Sequence, residues 1–189
     1  MPRLIGRNPA ASSLLAPGVW TPNEVHGFRL NNSWPLSPSR FLRLLVTACN
    51  GDNWIETQEV KFIVGATNYP TQNMTSNTAP SPLVASASSE LLPAYFAFST
   101  LIDSGGGGNS RWHTATGTPP HWIQIDLGVG NEITPNGILI TPGATNRSPR
   151  DFQVLGSNSG SFTGEQTIYY SASGLTTGWG NYTPRTFSW

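Results

Sequence analysis

The side chains that could do chemistry in this 189-residue chain are scattered, and their spacing argues against catalysis. Hydrolysis of a glycosidic bond takes two carboxylates facing each other across a cleft, and no motif among the ten acidic residues proposes such a pair. His26, His113 and His121 lack HExxH spacing, and Cys49, the one cysteine, cannot build a zinc cage. There is no GxSxG elbow. The four glycines at 105–108 are not followed by the Gly-Lys-Ser/Thr of a phosphate-cradling loop. The expectation is a protein without enzymatic activity and without a required cofactor.

Aromatic rings beside hydrogen-bonding groups are the stronger lead. Sugar-binding proteins lay a flat ring against the apolar face of a pyranose and hold its hydroxyls with Arg, Asn, Asp and His. Tyr95, Trp112, His113, Asn146, Arg147 and Trp179 all fall in segments that read as loops. Of these, His113, Tyr95 and Trp179 head the candidate ligand-binding set, joined by Arg147 and Asn146.

Strands must position those loops. In Trp122-Ile-Gln-Ile-Asp-Leu-Gly128, Ile123 and Ile125 alternate with Gln124 and Asp126, with Pro119 and Pro120 before the run and Gly128 after it. Phe41-Leu-Arg-Leu-Leu-Val-Thr-Ala48 is a second β-rich run, and Val60, Phe62 and Val64 alternate in a third. Asn50-Gly-Asp-Asn53 supplies turn chemistry between those two, which predicts a hairpin. Further strands are expected near 84–88, 133–141, 152–155, 167–171 and 185–189, and a short helical turn near 94–98. No repeat appears, so these make one sandwich of about eight strands.

Composition agrees with that class. Only 11% of residues are charged, against roughly 25% on average, and 20 glycines and 16 prolines suit many short strands joined by turns. Ten basic and ten acidic residues cancel, which offers no phosphate-tracking surface and makes nucleic acid an unsuitable partner. No run of about 18 apolar residues exists to insert into a membrane. The start of the chain lacks the apolar core of a secretory signal, about 7–15 residues long, so no signal peptide is expected. A lone cysteine excludes an internal disulfide and suits folding in a reducing cytosol; preceded by Val46, Thr47 and Ala48, it reads as a half-buried, inert thiol on a strand.

Residues 1–40 read differently. Pro2, Pro9, Pro17, Pro22, Pro35 and Pro38 interrupt every possible element, which predicts an irregular proline-rich arm. Trp20, Phe28, Leu30 and Trp34 are too many large apolar groups for a free tail and predict a segment that docks on a partner or, alternatively, packs on its own sandwich. The expected division is therefore an arm at 1–40 and a sandwich at 41–189.

An aromatic in a loop at Arg111-Trp112, the strand WIQIDLG and then Arg147-Ser-Pro-Arg-Asp-Phe-Gln-Val-Leu-Gly-Ser-Asn158, in that order, resemble the discoidin or coagulation-factor C-type domain. The run RFLRLLVTACNGDNWIETQEVKF resembles the hairpin that opens or closes such domains. The resemblance implies an all-β, jelly-roll-like β-sandwich of the galactose-binding-like class. It implies that Trp112 and Trp122 pack the core and that Arg147 fastens loops or touches ligand. Many such modules hold a structural calcium. By resemblance its ligands would be Asp103 and Glu59, although the inserted glycines depart from the family turn and Glu59 reads equally well as a plain surface or turn-bonding residue.

The string GVWTPNEVHGFRLNNSWP resembles segments of tailed-bacteriophage structural proteins. Together these resemblances imply a non-enzymatic virion protein of tail or capsid, docked on other virion proteins through residues 1–40, assembled as a homo-oligomer and binding cell-surface glycans. The alternatives are a decoration or connector without a ligand, and a carbohydrate-binding module working with a bacterial carbohydrate-active enzyme.

Overall fold

The computed structural model describes residues 36–99, 110–115 and 117–189. Asp103 and the four arm residues Trp20, Phe28, Leu30 and Trp34 lie outside the described residues. One compact unit spans Pro38–Trp189. Its strands are β1 (Phe41–Cys49), β2 (Glu56–Val64), β3 (Thr67–Tyr69), β4 (Val84–Ala87), β5 (Trp112–His113), β6 (His121–Asp126), β7 (Gly137–Pro142), β8 (Pro149–Ser157), β9 (Thr167–Ala172) and β10 (Arg185–Ser188). Two 3-10 turns, Ala94–Phe98 and Thr145–Arg147, complete the regular structure among the described residues.

Alternation decides which side of β1 faces the core. In β1, Leu42, Leu44 and Val46 are fully buried while Phe41, Arg43 and Leu45 between them are not. The first sheet runs β4-β6-β1-β8-β9, with antiparallel neighbours throughout. The second runs β10-β7-β2-β3, and β5 adds to β2 beyond that path. Leu42, Leu44, Val46, Ile123, Ile125 and Val154 from the first sheet meet Val60, Phe62, Ile138 and Ile140 from the second in one core. The chain is thus a β-sandwich of two antiparallel sheets, as its alternating runs predict.

Two expectations need correction. The runs at 41–48 and 54–64 do not form a hairpin: β1 pairs with β6 and β8, whereas β2 pairs with β3, β5 and β7. The turn chemistry is present, since Gly51 takes φ +79°, but the connection arches from one sheet to the other. Asn50 N–H and Asp52 N–H donate to the carbonyls of Ser148 and Asn146, at 3.0 and 2.9 Å, and draw the chain away from a tight reversal. The apolar faces of the two strands then cover each other across the core instead of lying side by side.

Trp122 is the second correction. With Ile123 and Ile125 directed inward, residue 122 falls on the outer face, where it is half-buried and stacks on Arg43, whose guanidinium carbon lies 4.2 Å from the ring centroid. Trp112 does pack the core, fully buried, and donates Nε1–H to the Ser89 carbonyl at 3.0 Å. Cys49 is buried as well, and burial pushes its thiol up to about 11.

The sandwich has two distinct ends. At one, Ser39 exchanges backbone hydrogen bonds with Ile133, Asn136 N–H donates to Ile63 O, and Trp189 N–H donates to Asn136 O. At the other, the 50–55 connection meets the start of β8, and Gly143 N–H donates to Glu56 O.

Candidate functional site

Three segments converge at that second end: the connection 50–55, β5 with its flanks, and the turn Thr145–Arg147 that leads into β8. Local hydrogen bonds fix each. The Asp52 carboxylate accepts from its neighbours Asn53 N–H at 2.7 Å and Trp54 N–H at 3.4 Å, an aspartate shaping its own turn. His121, buried at the start of β6, donates Nε2–H to the Asn53 carbonyl at 2.7 Å; because a carbonyl only accepts, that nitrogen carries the proton. On the third segment, Ser148 Oγ–H donates to Thr145 O, and Asn181 Oδ1 accepts from both Thr145 N–H and Thr145 Oγ–H at 2.7 Å.

Between these segments lies a charged network centred on Glu56. Register places Glu56 opposite His113 on the β2–β5 ladder. Arg147 donates Nε–H to Asp52 Oδ2 at 3.0 Å and a terminal N–H to Glu56 Oε1. Arg111 Nε lies 3.5 Å and His113 Nδ1 3.7 Å from the same oxygen. The Glu56 side chain is only 7% exposed, so three basic groups meet one buried carboxylate. Gly143 leaves space for it: a Cβ there would sit 2.9 Å from Glu56 Oε2 and 3.1 Å from Arg111 Cδ. Trp54 covers one side, its ring centroid 5.5 Å from that of His113 and tilted by 57°. Gly117 runs close beneath the indole, where a Cβ would come within 2.8 Å of Nε1.

Electrostatics keep the cluster near neutrality. Burial pushes the Asp52 carboxyl up, but hydrogen bonds from Arg147, Asn53 and Trp54 outweigh it and hold the group below the usual carboxylate range. Burial pushes the His113 imidazole down; Glu56 opposes that, while Arg147 and Arg111 reinforce it, and the net shift is downward. At neutral pH, two carboxylates balance two arginines beside an uncharged imidazole. His113 Nε2 is buried without a hydrogen-bond partner, an uncommon state for a polar atom. A ring face, an imidazole and a set of charged hydrogen-bonding groups in one place suit an uncharged, hydroxyl-rich ligand.

Of the residues expected from sequence, His113, Arg147 and Asn146 come together here; Asn146 is exposed, and its carbonyl holds Asp52. Arg147 ties the 50–55 connection to β2, the fastening role that resemblance implies. Tyr95 stands apart in its contacts: its ring lies tilted against Phe96, centroids 4.4 Å apart, and its N–H donates to Asn77 Oδ1. Trp179 is a correction. It is 9% exposed, sits in the core cluster 5.9 Å from the Phe187 ring and carries Arg185 over its face at 5.0 Å, so it packs the sandwich and presents little ring to a ligand.

Glu59 lies on β2 beside Lys61, whose ammonium burial pushes down and Glu59 pulls back up. Among the described residues no group of three or more His, Cys, Asp or Glu is placed to hold a metal. Of the two expected calcium ligands, only Glu59 lies among the described residues. Trp54, Asp52, Glu56 and Arg111 were not legible as site residues; the one signal was a tryptophan directly after an Asn-Gly-Asp-Asn turn.

Comparison with known proteins gives one match. The family model of the F5/8 type C domain covers residues 84–189. No curated protein and no solved structure matches the chain.

Proposed function

We propose, from the premise that this chain belongs to the F5/8 type C domain family, a type of carbohydrate- and ligand-binding module, that its sandwich is a non-enzymatic glycan-binding module. The observation that carries this is the pairing of Trp54 with His113 over the Glu56–Arg147–Arg111 network. The Trp54 ring takes the apolar face of a pyranose, backed by His113, whose Nε2 is buried, and Asn146 and Arg147 hold its hydroxyls. Because the network balances its own charge, the favoured ligand is a neutral sugar.

The test is a glycan array probed with the full chain and with Trp54→Ala, each with and without calcium. Binding by the wild type that falls at least about ten-fold in Trp54→Ala supports the reading. Binding that needs calcium supports Asp103 and Glu59 as ligands. A silent array sinks the glycan assignment. It leaves a connector without a ligand, a reading favoured by one observation: the Arg147 guanidinium is already engaged by Asp52 and Glu56.

The setting we propose is a bacteriophage virion. It is supported by the arm string GVWTPNEVHGFRLNNSWP and by Trp20, Phe28, Leu30 and Trp34, which need a partner surface. Truncation after Ser37, which keeps Ser39 and Arg40 in the sandwich, is expected to leave a folded module that no longer enters virions. Unchanged incorporation defeats the placement.

A further inference from the structure

Most residues with backbone in the left-handed region are glycines, as steric considerations demand. Among the described residues Gly51, Gly65, Gly128, Gly130, Gly160, Gly164, Gly174 and Gly178 all have positive φ, and two other residues join them: Phe162 at +53° and Tyr182 at +57°. Phe162 has a contact that accounts for it, since its ring lies 3.8 Å from the Arg43 guanidinium carbon and completes a Trp122–Arg43–Phe162 stack. Tyr182 has no such contact. Its ring enters no hydrogen bond, ion pair or ring contact among the described residues, yet it stands at the third position of a turn closed by Thr183 N–H to Gly180 O at 3.2 Å. That is the position where such turns call for glycine when φ is positive.

The location of Tyr182 supplies the second observation. Its N–H donates to Pro142 O at 3.1 Å, beside Gly143, whose own N–H bonds Glu56. The preceding residue, Asn181, clamps Thr145 next to Asn146. The half-exposed Tyr182 is therefore pinned at the rim of the Glu56 cluster, with β7 and the Thr145–Arg147 turn as neighbours, whereas Trp54 is delivered by the 50–55 connection. Strained residues held in place by their surroundings gather at ligand clamps.

We infer that Tyr182 is a second aromatic wall of the glycan site, so that the module reads a neutral disaccharide or longer chain end and not a single sugar. This rests on the glycan reading above. Trp54 stacks on one sugar ring and Tyr182 on its neighbour.

Tyr182→Gly is the informative variant, because glycine adopts the observed φ without strain and removes the ring, so loss of fold does not confound the result. Titration calorimetry on the full chain would use galactose against lactose, N-acetylglucosamine against chitobiose, and glucose against cellobiose. The expected result is that Tyr182→Gly lowers disaccharide affinity about ten-fold, leaves monosaccharide affinity within two-fold, and is rescued by Tyr182→Phe. Equal loss on both ligand sizes, or no loss on either, overturns the inference while the glycan reading stands. If neither the wild type nor the array shows any sugar bound, the reading itself fails and the inference falls with it.

Discussion

His113 stands between opposed influences, and the direction of its titration follows. Burial disfavours the imidazolium, and Arg147 and Arg111 add to that, against the pull of Glu56. The folded protein therefore holds the proton less tightly than the unfolded chain does. The stability from this group is fully present above about pH 6.5 and is lost as the pH falls through the lower, folded value. Thermal denaturation at pH 7.5 and 5.5 is expected to show a smaller drop in Tm for His113→Gln than for the wild type. An identical drop in both would mean that the acid sensitivity arises elsewhere. Trp54 is the other residue whose surroundings define the site, since its indole touches the imidazole ring on one side and leaves no room for a side chain at Gly117 on another.

At the scale of elements, Arg147 is the fastener: one guanidinium joins the Thr145–Arg147 turn to the 50–55 connection and to the first residue of β2. Arg147→Ala leaves Glu56 buried with less compensation, at a cost of about 1–3 kcal/mol for a pair that is partly exposed. Hydrogen exchange is expected to speed up at 50–55 and 145–148 and to stay unchanged in the β1–β8 ladder; uniform acceleration would indicate a general loss of stability. The same elements show what the sequence could reveal. Alternation located β2 and β6 and β-rich composition located β1 and β8, because both are local properties of the chain. Partnership was not local: the turn residues between β1 and β2 fit a hairpin equally well, and only the need of two apolar faces for each other selects an arch. The alternation of Ile123 and Ile125 already directed Trp122 outward, against the family expectation. His113, Asn146 and Arg147 were legible as loop residues able to bind hydroxyls. Asp52, Trp54, Glu56 and Arg111 were not, since β2–β5 pairing and the arch, neither of them predicted, bring them together.

For the molecule as a whole, the strands that matter most lie outside the segment the family model covers. That segment begins at Val84, yet β1 is the middle strand of one sheet and β2 is flanked by β7 and β3 in the other. A fragment of residues 84–189 would lose Leu42, Leu44, Val46, Val60 and Phe62 from the core and the carboxylates Asp52 and Glu56 from the site. It is expected to be unfolded by circular dichroism, while residues 38–189 fold; a cooperatively melting 84–189 fragment would show that the sandwich can close without its centre. The two ends of the sandwich also differ in use. Ser39 and Trp189 both lie at the end remote from Glu56, separated from it by about the length of β1, roughly 30 Å at 3.4 Å per residue for nine residues. A tether at either position therefore behaves as a stalk. An anchor attached at either position holds the sandwich by the end opposite Trp54, and copies fixed side by side through that end would leave their Trp54 ends free, the arrangement in which weak single contacts add up.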